Sequence, residues 1–277
     1  MAGKYLRKRQ KKKGVGVLLV LLLVLFSGVI GVSIWKITET KQERAAGVEA
    51  YASLAQSVVM PQENTLSEVE TVVVSADAQP EEEKTVDVSQ PLTVDFEALQ
   101  AINSQVIGWI SSDTGAINYP VVHGTDNDYY LTHLVDGTYN SNGSIFVDFR
   151  NAPGFADRNT IIYGHNMLNG AMFASLSLYS TPGYPAAHPE LLLVTDEGSF
   201  SLQVFAGCVV PGNSDLYQMS YNGDEEFITY IDRVRSISDF TTEVPINEQD
   251  RIVTLSTCSY NYDDARYLLF CKLVPMR

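Results

Sequence analysis

From Gly14 to Trp35 the chain reads GVGVLLVLLLVLFSGVIGVSIW, 22 residues without a charge. At ~1.5 Å per residue, about 20 apolar residues in a helix cross a hydrocarbon core of ~30 Å. The run is longer than the ~7–15-residue apolar core of a cleavable signal, and the Ala-x-Ala at Ala50–Ala52 lies well beyond it. Before it stands MAGKYLRKRQKKK, with seven basic side chains and no acidic one. Alone, such a tail would also suit nuclear targeting or RNA. Against an apolar run it reads as the flank that stays cytoplasmic, which sends everything after Trp35 outside. The sequence therefore predicts a cytoplasmic tail at 1–13 and a single transmembrane anchor at 14–35, with the rest of the chain extracellular.

Beyond the anchor, composition changes twice. Residues 36–58 are polar and rich in helix formers, and predict a juxtamembrane helix. Residues 59–91 carry QPEEEK, three prolines and no aromatic residue, so they cannot bury a core and read as an acidic linker. The folded domain is expected over 92–277. The chain's net charge of −14, despite the basic tail, argues against a nucleic-acid partner.

Within the domain, Asp95 is placed to cap a short helix entry. Strands are predicted at 117–123, 144–148, 160–163, 190–195, 200–210, 251–257 and 266–274. In the fifth, Phe200, Leu202, Val204, Ala206, Cys208 and Val210 fall on one face at period two. Helices are expected at 171–179 and 224–237; the second sets Phe227, Tyr230, Ile231 and Val234 on one stripe. Many short strands with a few inserted helices predict a mainly β, closed or nearly closed barrel.

The three cysteines cannot all pair within the chain, and no Cys-x-x-Cys or clustered His/Cys spacing suggests a metal. Cys208 and Cys271 share apolar strand faces, which predicts packing. Cys258 instead stands where RIVTLST gives way to the polar loop SYNYDDA. If that strand and RYLLFCKLV pair as a hairpin, Cys258 and Arg266 face each other at its open end, where a cation favours thiolate and can hold an oxyanion. A thiol enzyme also needs a proton donor. Of His123, His133, His165 and His188, His165 directly follows the apolar strand TIIYG. Each of these residues also has an ordinary reading: Cys258 as a small packing group, Arg266 as a solvated charge, His165 as a structural histidine. The residues alone leave both open.

YGHN at 163–166, TLSTC at 254–258 and Arg266 at the start of the final strand resemble the sortases of Gram-positive bacteria, membrane-anchored cysteine transpeptidases. The resemblance covers about 95–277. It is closest to class B, through GWI at 108–110, YPVVHGTDNDYYL at 119–131, GSIFVDFRN at 143–151 and IIYGHNMLNGAMFASL at 161–176. It implies an eight-stranded sortase-type barrel with inserted helices, with Cys258, His165 and Arg266 as catalytic residues at one rim. Ser256 and Thr257 become candidate substrate-binding residues. Implied partners are exported proteins bearing a C-terminal sorting motif, and an amine of peptidoglycan or a pilin lysine. Neither the motifs nor the resemblance implies a metal or other cofactor, and Asp263-Asp264 reads as a solvated loop pair.

Two rival readings remain at this stage. Another cysteine acyl-transfer class would place a histidine just before the cysteine, as in an L,D-transpeptidase, or later in the chain than the cysteine, as in a papain-like peptidase; here His165 lies far upstream and no histidine follows Cys258. A non-enzymatic surface-binding module would not need all three polar residues at strand ends.

Overall fold

The computed structural model describes residues 12–60 and 92–276; most of the basic tail and the acidic linker at 61–91 lie outside the described residues. Helix α1 (Lys12–Val58) is continuous. Its stretch from Leu19 is long and apolar enough to cross a membrane, with a mean hydropathy of 2.3. No proline or other breaker separates the expected anchor from the expected juxtamembrane helix, so the two are one helix. The chain forms two compact units, one up to Ala46 and one from Gly47 onward. In the second unit the last turns of α1 bury Tyr51, Ala55 and Val58. The Tyr51 hydroxyl donates to the Gly143 carbonyl at 2.9 Å, and its ring meets Tyr119 edge-on at 5.3 Å.

Strand β1 (Val59–Met60) pairs antiparallel with β2 (Thr93–Val94). Helix α2 (Phe96–Ile102) follows, and Asp95 caps it as expected by accepting the Ala98 N–H at 2.9 Å. There follow β3 (Val106–Ser112), β4 (Asn118–His123), a 3-10 turn at Tyr129–Leu131, β5 (Ile145–Val147), a 3-10 turn at Pro153–Phe155 and β6 (Asn159–Tyr163). A 3-10 helix at Ala174–Ser180, α3 (Tyr184–Ala187), β7 (Glu190–Thr195) and β8 (Gly198–Pro211) come next. Helix α4 (Asp224–Ser236), β9 (Ile252–Cys258) and β10 (Ala265–Pro275) complete the chain. Eight strands close into a barrel in the order β10-β8-β7-β3-β4-β5-β6-β9. Pairing is antiparallel except for β4 with β5 and β6 with β9. Closure leaves no barrel edge open to further pairing.

Three sequence expectations change. Strand β3 was not among the predicted strands. Six of its seven residues are buried, so no alternation of apolar and polar marks it. The helix expected at 171–179 is instead the 3-10 helix at Ala174–Ser180. The single apolar face expected along β8 is split by a bulge, because Phe270 pairs with Ala206 while Cys271 pairs with Val204. Leu202 and Val204 join one core, whereas Phe205, Ala206, Cys208 and Val210 join a second one with α4. Phe227, Tyr230, Ile231 and Val234, the predicted stripe of α4, are all buried there. Each such side chain contributes about 1.5–3 kcal/mol by burial.

Candidate active site

The hairpin forms with the register its sequence suggests: Cys258 and Arg266 are directly opposed across β9 and β10. Opposed residues of an antiparallel pair project to the same face. Cys258 is half-buried, whereas Cys208 and Cys271 are buried. Burial pushes the Cys208 thiol up to about 12 and raises Cys271 as well, so neither is a nucleophile near neutral pH.

On its other side β9 runs parallel to β6, with Tyr163 opposite Ser256. The chain leaves β6 through Gly164, where a Cβ would lie 2.5 Å from Ile145 Cδ1 and 2.7 Å from the Phe173 ring. Only glycine fits, and the next residue, His165, is thereby carried to the groove. Its Nε2 lies 2.7 Å from the Leu131 carbonyl. A carbonyl can only accept, so Nε2 carries the proton and a neutral ring keeps its lone pair on Nδ1. The other histidines are engaged elsewhere or lie apart. His188 pairs with Asp113 at 2.7 Å, His133 stacks on Tyr129 at 4.0 Å, and His123 ends β4.

Cys258, His165 and Arg266 line one groove of about 450 Å³, together with Ser256, Thr257 and Tyr217. Ser256 Oγ and Tyr217 OH share a hydrogen bond of 2.9 Å, and Thr257 Oγ1 is buried without a hydrogen-bond partner. Burial raises the Tyr217 hydroxyl above the ordinary range, against the opposing pull of the Ser256 bond and the Arg266 charge, so Tyr217 stays a neutral donor. Arg266 Nη2 meets Asp264 Oδ1 at 2.9 Å, and its Nη1 donates to the Ala265 carbonyl at 3.1 Å. Asp264 is thus an exposed loop acid in contact with Arg266. Among the described residues no group of three His, Cys, Asp or Glu side chains is placed to hold a metal ion.

Several groove residues were quoted within motifs or passed over, without a role. Asp148, buried behind the wall, accepts from Arg150 Nε at 2.9 Å, Arg150 Nη2 at 2.7 Å, Tyr163 OH at 2.8 Å and Asn127 Nδ2 at 3.1 Å. Burial pushes its carboxyl up, but the Arg150 bonds and charge and the Tyr163 bond outweigh that and bring it down to about 2. Arg150, Tyr163 and Asn127 line the groove. Asn166 Nδ2 donates to the Cys258 carbonyl at 2.8 Å. The signal for these lay in YPVVHGTDNDYYL, GSIFVDFRN and YGHN; Tyr217, in an irregular loop, carried none.

A closed barrel with a free thiol and an imidazole in one rim groove has the build of a cysteine acyl-transfer enzyme. A family profile described as Sortase domain matches residues 112–274. Sortase B of Listeria monocytogenes is 36% identical over 194 residues, covering 69% of this chain and 78% of that protein. The structure of a Staphylococcus aureus sortase B–substrate complex superposes with a TM-score of 0.63 at 30% identity, over 66% of this chain and 85% of that one. A sortase B structure complexed with Gly3 superposes at 0.61 with 31% identity, covering 66% and 86%. The chain belongs to the sortase family and is a class B sortase, a cysteine transpeptidase.

Proposed function

We propose that Cys258 is the nucleophile of this transpeptidase, His165 its proton carrier and Arg266 its oxyanion partner. The observation that carries the assignment is the shared groove: the half-buried thiol lies opposite Arg266 in register, with the imidazole on the neighbouring strand's exit. The Cys258 thiol gives its proton to His165, and the resulting thiolate adds to the carbonyl of a Thr within a C-terminal sorting motif. The C–N bond then breaks, the departing amine takes a proton from His165, and a thioester remains on Cys258. An incoming amine, from a peptidoglycan stem or cross-bridge or from a pilin lysine, gives up a proton to His165 and attacks the thioester. The new amide leaves, and the thiol is restored. Arg266 retains guanidinium N–H groups beyond the two engaged with Asp264 and Ala265, and these are the donors for the oxyanion. Ser256 and Thr257, with the Tyr217 hydroxyl, line the substrate's path.

The relatives solved with a substrate and with Gly3 favour a peptide donor and an amine acceptor here as well. The apolar stretch of α1 behind its basic tail favours a single-pass anchor with the N-terminus inside and the barrel outside. Under this reading 61–91 acts as a spacer and the barrel unit carries the chemistry.

The test uses the full chain in detergent with a library of sorting-motif peptides and an amine acceptor. Cleavage after Thr with a thioester trapped on Cys258 is expected. Transfer that persists in Cys258→Ala sinks the assignment. Protease added to intact cells should digest the barrel and spare the tail; the reverse pattern overturns the orientation.

A further inference from the structure

Strands β6 and β9 pair in parallel up to Tyr163 and Ser256, and one further rung joins Gly164 N–H to the Ser256 carbonyl at 3.1 Å. Rungs of a parallel ladder are evenly spaced, two residues apart along each strand. The next bond donated from the β6 side would run from the backbone N–H of residue 166 to the carbonyl of Cys258. It is not made by the backbone. Asn166 pairs instead with Met172 in an isolated antiparallel bridge, where the Phe173 N–H also closes back on the His165 carbonyl at 2.9 Å.

The missing rung is supplied by a side chain. Asn166 Nδ2 donates to the Cys258 carbonyl at 2.8 Å across 92 residues of sequence. From the cysteine side, the Tyr260 hydroxyl donates to the Asn166 carbonyl at 3.0 Å. The histidine loop is held independently on its far side, where the Met172 N–H donates to Tyr119 OH at 3.0 Å and Met172 adopts a φ of 60°. The main chain must leave the sheet at Gly164 to carry His165 into the groove, and doing so would release the end of β9. One amide side chain allows the first without the second.

We propose that Asn166 is a positioning residue. It ties the carbonyl of the nucleophile's own residue to the loop that carries the imidazole, and so keeps the Cys258 thiol and the His165 ring in register during acyl transfer. The inference rests on Cys258 and His165 acting as proposed above. It requires a neutral donor of this length. Asp has the same shape but presents an oxygen to the carbonyl, and Ala presents nothing.

The test compares Asn166→Ala and Asn166→Asp in the full chain, with steady-state cleavage of a sorting-motif peptide, thermal unfolding, and alkylation of Cys258 by iodoacetamide, a small electrophile that needs no aligned imidazole. Both variants should lose about 10- to 100-fold in kcat with KM within about threefold, as misplacement of reacting groups predicts. Alkylation rates and unfolding midpoints should stay close to wild type. If Asn166→Asp keeps kcat within twofold, the side chain serves only to fill space, and the proposal fails. It fails equally if alkylation falls in parallel with kcat, because the thiol itself would then be altered. Should Asn166→Ala not fold, the isosteric Asp variant decides alone. Cys258→Ala run alongside separates the two levels: transfer retained there removes the nucleophile assignment, whereas loss there with wild-type kcat in both Asn166 variants removes only this inference.

Discussion

Two arginines line the same groove and are held in opposite ways. Arg150 is 52% exposed, but its partner Asp148 is fully buried and bound by donors from two other side chains. Arg266 is 30% exposed, and its partner Asp264 is 66% exposed and offers one contact. What fixes a guanidinium is the acceptor's surroundings, not the arginine's own burial. A carboxylate removed from water must keep its donors, so Arg150, Tyr163 and Asn127 are locked as one wall. A carboxylate in water gives up a partner at little cost, so Asp264 holds Arg266 only loosely.

The sharpest break of that contrast is Arg266→Ala. It should lower kcat/KM for peptide cleavage by about 100-fold or more, the scale for a lost oxyanion donor, while shifting stability by less than about 1 kcal/mol in urea unfolding. A variant that cleaves at wild-type rate removes the oxyanion role. Next comes Asp148→Ala, which should do the reverse in kind: it removes the buried acceptor shared by Arg150, Tyr163 and Asn127 and costs about 2–3 kcal/mol, visible as a fall of roughly 5–10 °C in Tm. An unchanged Tm would mean that the wall does not depend on its carboxylate.

Acid separates the two sides further. The Asp148 carboxyl is depressed to about 2 in the fold against ~3.9 when unfolded. The native state therefore binds fewer protons there, and the stabilisation is complete above about pH 4 and is lost as pH falls through about 2. Asp148→Asn should flatten the stability–pH curve across that window, read by unfolding at several acid pH values. The smallest effect is expected for Asp264→Asn. Asp264 has a φ of 59°, a conformation asparagine shares readily, and the exposed pair contributes less than ~0.5 kcal/mol. Its Tm should stay within about 2 °C and its cleavage rate within about threefold; a larger fall in rate would show that Asp264 orients Arg266 rather than merely resting against it.

The same contrast explains how much of the molecule was legible in its sequence. The Cys258–Arg266 pairing, the Asp95 cap and the α4 stripe are local facts, set by a strand's period, a helix's period or a turn's residue types. The sortase motifs then named His165, which no spacing could tie to Cys258. Strand β3 went unseen because burial on both faces erases alternation, and the β8 bulge because its cause is the partner strand. Asp148 and Asn166 were in plain view within motifs. Their work consists of bonds to residues distant in sequence, and no local pattern encodes that.

The parallel pairing of β6 with β9 also sets an order in time. A chain is synthesised from its N-terminus, and the strand leading to His165 has β5 on one side, but its other side has no partner until the strand bearing Cys258 follows, 92 residues beyond Asn166. Contacts of that separation form slowly, after the loop between them has closed. The barrel closes only when β10 lies between β8 and β9, so the groove is absent from every shorter nascent chain. Cys258 thus joins His165 in one groove as one of the last events of folding.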